Sequence, residues 1–135
     1  MTTEPSYVDY YDPRKKVVYI AGPYTADTPE GIDANIRKAE RIAWVLWRDG
    51  IAVITPHLNT VHFEETYADR DKAARVFYGG DLSILKRCDA VLMLPNWGKS
   101  TGAMMEHEAA LAWDIPVFYS VATLHDWVRQ SGGTR

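Results

Sequence analysis

Asp89-Ala-Val-Leu-Met-Leu-Pro-Asn-Trp-Gly-Lys-Ser-Thr-Gly-Ala-Met-Met-Glu106 is the stretch that decides how this chain is read. Its first part is an apolar run that suits a strand buried on both faces. Pro95 stops that strand, Gly98 sits in the loop that follows, and Ser100 stands where a helix N-cap belongs. Glu106 then shares one helix face with Gly102, Ala103, Ala109 and Ala110. That face is small and apolar, so it packs on a sheet. A carboxylate there is costly unless it is paired with a neighbour or does chemistry, and the residues leave both alternatives open.

Working outward, Val17-Val18-Tyr19-Ile20-Ala21 is a second buried strand, stopped by Gly22-Pro23. Ile32, Ile36, Ala39, Ala43 and Leu46 recur at helical spacing, after capping residues at Asp27 to Glu30 and before Asp49-Gly50. Ile51 to Thr55 predicts another strand, followed by a polar loop from 57 to about 69. A helix is predicted from about Arg70 to Arg87, weakened at Gly79-Gly80, where a break is one alternative. Ser100 to Trp113 predicts a helix, Val117 to Tyr119 a strand, and Ala122 to Gln130 a last helix.

Strands alternating with helices predict right-handed βαβ units. The expected architecture is an α/β, doubly wound, Rossmann-like or flavodoxin-like parallel sheet of four to five strands, in the order 2-1-3-4. The first and third strands then meet where the winding reverses, and ligands in such sheets bind beyond the carboxyl ends of the strands at that point. The loops that converge there are Gly22-Pro23-Tyr24-Thr25 and Pro95-Asn96-Trp97-Gly98-Lys99-Ser100.

A chain of 135 residues predicts one domain. The expected division is an irregular arm over 1–16, the domain over 17–130 and a disordered tail over 131–135. The net charge of -3 gives no basic stripe for nucleic acid. Cys88 is the only cysteine, which excludes an intrachain disulfide, and Cys and His show no metal-ligand spacing. No apolar run approaches the roughly 18 residues that span a bilayer. The start of the chain lacks the order of a signal peptide, so a cytoplasmic location is expected.

Several residues near the switch point carry two readings. Asp81 is a helix cap after Gly79-Gly80 or a carboxylate on the side of the pocket. Ser100 is an N-cap, and its helix N-terminus is also where a phosphate or carboxylate would dock. Gly102 lets a ligand approach the backbone. Tyr19 is a core residue or a hydroxyl within reach of a carboxylate. His57 stacks on a planar ring or starts a loop. Trp97 is a pocket wall or an interface residue. His62, His107 and His125 offer no spacing argument and are taken as surface. Asp89, at the start of its strand, falls at the wrong end of the sheet for catalysis.

Taken together, Val17-Val-Tyr19-Ile-Ala-Gly22-Pro23, Thr55-Pro-His57, Gly80-Asp81-Leu82, Cys88-Asp89-Ala-Val91 and Ser100-Thr-Gly102-Ala-Met-Met-Glu106 resemble the nucleoside 2-deoxyribosyltransferase-like superfamily. The match covers roughly Val17 to Tyr119. The resemblance implies that Glu106 is a nucleophile attacking the anomeric carbon, as in a retaining glycosidase. It implies that Tyr19 holds the nucleophile, that Asp81 is the acid for the departing base, and that His57 lies near that base. Glu106 is then expected to stay ionised and Asp81 to hold a proton. No cofactor and no metal are implied.

Within the superfamily, Ser100 resembles the monophosphate N-glycosidases, where the transferases carry an acidic residue. Hydrolysis of a nucleoside 5'-monophosphate is therefore the first expectation. Transfer of deoxyribose between bases is the alternative, and a binding module without turnover is the second alternative. The loop Gly22 to Asp27 departs from the Gly-rich, Arg-containing loop of the hydrolases. Phosphate binding would rest on backbone amides, Thr25, Ser100 and Lys99. The family and the five tryptophans, with Trp44 and Trp47 on the first helix, predict a homodimer or larger assembly.

Overall fold

The computed structural model describes residues 6–59 and 69–131. Strand β1 spans Val17–Ala21, β2 Ala52–Ile54, β3 Ala90–Met93 and β4 Val117–Phe118. Helix α1 spans Pro29–Arg48, α2 Pro56–Asn59, α3 Arg70–Leu85, α4 Thr101–Ala112 and α5 Val121–Gln130. The four strands form one parallel sheet in the order β2-β1-β3-β4, as the alternation of elements predicted. Tyr19 lies opposite Val91, and Ala21 opposite Met93, across the central β1–β3 seam.

Side chains alternate across the pleat. Val18, Ile20, Leu92 and Leu94 face α1 and α5, where Ala39, Ala43, Leu46, Leu124 and Val128 complete one core. Tyr19, Ala21, Val91 and Met93 face the other way, onto Leu85 of α3 and Ala103 and Ala110 of α4. Asp89 anchors the base of the seam: its carboxylate accepts from the Val17 amide at 2.8 Å, and its own amide donates to the Val17 carbonyl at 2.8 Å. Cys88 is half-buried against the α3–α4 core.

Local chemistry sets the helix ends. Thr28 accepts from the Gly31 amide at 3.1 Å with Pro29 at the first helical position, and α1 stops at Asp49 before Gly50, whose φ is 86°. Asp69 caps α3, Ser100 caps α4 and Ser120 caps α5.

Three local expectations change. Helix α3 runs unbroken through Gly79 and Gly80, because Leu82, Ile84 and Leu85 beyond them pack on the core and offset an intrinsic cost of about 1 kcal/mol per glycine. The segment after Thr55 opens with α2 rather than a loop. Within the arm expected to be irregular, Tyr7–Tyr10 wind as a 3-10 helix capped by Ser6. The remainder of the expected polar loop, 60–68, with His62, lies outside the described residues, as do 1–5 and 132–135 of the expected arm and tail. Among the described residues no helix is long and apolar enough to cross a membrane.

Candidate active site

Helix α4 starts beyond the carboxyl end of β3 and packs back over β1 and β3, which carries Glu106 down over the middle of the sheet. Tyr19, fully buried in the middle of β1, points to the same face. Its phenol donates a hydrogen bond to Oε2 of Glu106. Burial pushes the Glu106 carboxyl up to about 7; the Tyr19 hydrogen bond opposes that rise and the charge of Asp81 adds to it. Burial likewise drives the Tyr19 phenol far above its usual range, so it remains a donor, and the charges of Glu106 and Asp81 push the same way.

Asp81 comes from α3 and is close enough for its charge to act on both Tyr19 and Glu106. Burial pushes its carboxyl up to about 6. It does not cap α3, since it sits well inside the helix; Asp69 does that. The raised Asp81 value suits the expected proton on that group, whereas burial works against the ionised Glu106 that was expected. Both carboxyls are raised, Glu106 further, because it is the more deeply buried of the two.

The glycines of the site serve packing. A Cβ on Gly22 would stand 2.7 Å from Leu94 Cβ, so the residues just past β1 and β3 close tightly on each other. A Cβ on Gly102 would meet the Tyr78 ring at 3.3 Å. Tyr78 precedes Asp81 by one turn on α3, as Gly102 precedes Glu106 on α4. A Tyr78–Gly102 contact therefore sits one turn above the carboxylate pair. Tyr78 was missed in the sequence, although its three-residue spacing to Asp81 is a readable signal. Ser100 is the α4 cap, its hydroxyl accepting from the Ala103 amide at 3.2 Å.

His57 is buried on α2, 5% exposed, with Nε2 at 2.8 Å from the Pro23 carbonyl and its ring 6.0 Å from that of Tyr24. Burial lowers its pKa, with hydrogen bonds to the Pro23 and Gly22 backbone opposing. A neutral ring donating from Nε2 leaves Nδ1 as an acceptor. Trp97 packs on the α3–α4 core and stacks on His107, with ring centroids 4.3 Å apart. His107 Nε2 also lies 2.7 Å from the Tyr119 hydroxyl. His125 Nε2 lies 3.2 Å from Asp49 Oδ2. Both histidines were expected at the free surface. They are half-buried with partners from other elements, and no periodicity in the sequence points to those partners.

The structure thus unites Tyr19, Asp81 and Glu106, with Gly102 and Ser100 above them on α4. Thr25 is exposed, and the Tyr24 and Thr25 carbonyls accept from the Asn35 amide at 3.1 and 3.4 Å. Pro23 and Asn96 line a cavity beside α1, and Asn96 adopts a left-handed backbone with φ 66°. Among the described residues no group of three or more His, Cys, Asp or Glu is placed to hold a metal ion.

A solved 2-deoxyribosyltransferase from the psychrotolerant bacterium Bacillus psychrosaccharolyticus is similar in structure, with a TM-score of 0.57 at 20% identity over 75% of this chain and 69% of that one. The two proteins share this α/β fold. No curated protein matches the sequence. A family described as "Domain of unknown function (DUF4406)" matches residues 16–119, and with that span covering most of its length the chain belongs to this family.

Proposed function

We propose that the chain cleaves the N-glycosidic bond of a nucleoside through a covalent sugar–Glu106 ester and passes the sugar to a second base. The observation that carries this reading is the buried Glu106 carboxyl, held by the Tyr19 phenol and flanked by Asp81. The shared fold with a 2-deoxyribosyltransferase supports transfer over hydrolysis.

In the first step an ionised Glu106 oxygen bonds to the anomeric carbon as the carbon–nitrogen bond breaks. The bonding pair leaves with the base, and the Asp81 carboxyl supplies the proton that neutralises it. The Tyr19 hydrogen bond holds the attacking group in one orientation and keeps part of it ionised despite burial. In the second step a nitrogen of the incoming base attacks the same carbon, the ester bond breaks and Glu106 is restored. Asp81, now a carboxylate, takes the proton that the incoming nitrogen loses. His57 holds the Pro23 carbonyl through Nε2 while its Nδ1 is buried, so it supports the loop after β1 and offers no accessible nitrogen to a base.

A second reading has water resolve the ester, with a nucleoside 5'-monophosphate as substrate. Ser100 favours it, because its hydroxyl caps α4 and retains a hydrogen to donate to a phosphate at that helix N-terminus. Base release from nucleosides and their monophosphates, with and without a free acceptor base, separates the two. A new nucleoside formed from the acceptor supports transfer. Release confined to monophosphates, with no exchange, supports hydrolysis. Absence of both, with tight nucleotide binding, leaves a binding module.

A further inference from the structure

The cavity beside α1 lies on the opposite face of the sheet from Glu106. It measures about 280 Å³ and is lined by Pro23, Leu94, Pro95 and Asn96 from the chain just past β1 and β3, and by Asn35, Lys38, Arg41 and Ile42 from α1. Leu94 and Ile42 belong to the α1–α5 core, whereas Tyr19 belongs to the α3–α4 core. The tight Gly22–Leu94 contact marks the seam between the two faces.

The lining is apolar on one side and cationic on the other. Ile42, Leu94 and the rings of Pro23 and Pro95 offer carbon surface. Lys38 and Arg41, three residues apart, sit on neighbouring turns of α1 with Cβ atoms about 5–6 Å apart. The other cations of α1 are neutralised locally: Arg37 binds Asp33 at 2.9 Å and Arg48 binds Asp49 at 3.4 Å. Among the described residues Lys38 and Arg41 have no carboxylate partner. Among the described residues, the two cations of this helix without a carboxylate partner are thus the two that border the cavity.

We infer that this cavity binds a small dianion with an apolar body, a phosphate monoester of a ring-sized group. Two adjacent positive charges match a phosphate monoester better than a carboxylate, which would neutralise only one of them. The Arg41 guanidinium offers paired donors to two phosphate oxygens, and Lys38 adds a point charge. The volume falls just under the range of about 300–1,000 Å³ usual for small-molecule pockets, which suits one ring and one phosphate and excludes a dinucleotide. The site goes beyond the proposed glycosyl chemistry and does not depend on it.

The test uses phenyl phosphate as probe and the side-chain amides of Asn35 and Asn96 as reporters, in nitrogen–proton NMR. Saturable shifts of both amides are expected with millimolar or tighter affinity, retained in Glu106→Gln. The double variant Lys38→Ala/Arg41→Ala, at exposed helix positions where alanine is well tolerated, is expected to weaken binding at least about tenfold with unchanged circular dichroism. Phenol and inorganic phosphate are each expected to bind more weakly. Absent shifts at about 10 mM probe, or binding lost in Glu106→Gln but kept in the double variant, would overturn the site. Inorganic phosphate binding as tightly as the ester would overturn the apolar half of the proposal.

Discussion

The Tyr19 phenol and the Glu106 carboxylate, 87 residues apart in the chain, meet in a hydrogen bond between the middle of β1 and the second turn of α4. The bond joins a group that burial keeps protonated to one that burial pushes towards protonation. Its effect on Glu106 is to hold the carboxyl lower than burial alone would leave it.

Glu106→Gln is expected to abolish glycosyl transfer, by a factor of about a thousand or more, because no carbon–oxygen ester can form. The same change should stabilise the fold, but only at higher pH. A carboxyl raised from 4.5 to about 7 contributes its full stability below the unfolded value and loses it as pH rises through the folded one. The variant should therefore match the parent near pH 4.5 and exceed it by about 3 kcal/mol near pH 8. Thermal melts at the two pH values check this. Equal melting shifts at both would remove the buried ionisation from the account.

Rate against pH should be a bell whose limbs belong to the Glu106–Asp81 pair. Activity rises as Glu106 ionises, towards about 7, and falls as Asp81 loses its proton, above about 6. The optimum is expected between those values. With Glu106 the higher of the two, the productive arrangement is the minor one among singly protonated molecules. Tyr19→Phe removes a bond that lowers the Glu106 value, so the ascending limb should move to higher pH. An unmoved limb would mean that Tyr19 serves packing alone.

Asp81→Asn should cost about 10²–10⁴ in rate with ordinary bases, the usual range for one acid–base group. The loss should shrink with a substrate whose leaving base needs no proton. Equal losses on both substrates would assign Asp81 to structure.

Gly22→Ala is expected to destabilise the protein by about 1–3 kcal/mol, since the new methyl would stand 2.7 Å from Leu94 Cβ. Combining it with Leu94→Ala should recover part of the loss beyond additivity. Gly102→Ala meets only the edge of the half-exposed Tyr78 ring, so its effect on stability should be smaller. Denaturant melts of the three variants and the pair check the order.

Self-association is expected from the apolar side chains exposed on α1, Trp44 at 62% and Trp47 at 57%. Light scattering at micromolar concentration should return at least twice the chain mass, and Trp44→Glu/Trp47→Glu should lower it. A monomer in the parent protein would exclude this.

The strand order was legible because each strand is a short apolar run bounded by Pro or Gly, and because crossovers between parallel strands have one hand. Glu106 was legible as a lone acid on a small apolar face, and Tyr19 as a strand hydroxyl within reach of a carboxylate, with the family resemblance choosing that reading over a plain core residue. Protonation was not legible: sequence shows which groups are near in type, whereas the rise at Glu106 depends on depth of burial. The continuity of α3 through Gly79-Gly80 was hidden for a related reason, since tertiary contacts of Leu82 and Leu85 outweigh local propensity. The pairings of His107 with Trp97 and of His125 with Asp49 join separate elements and leave no local trace.

The central seam pairs Val18 with Ala90, so the strands that frame the site come from opposite halves of the chain. The β1–β2 pair can assemble through the nearby α1 crossover, but the Tyr19–Asp81–Glu106 cluster needs β3, α3 and α4 to arrive as well. Such distant pairing delays closure, because the loop entropy falls due before the contacts that offset it. During refolding, helical signal should therefore return before Tyr19 and Glu106 find each other, and regained turnover should mark the last event of folding.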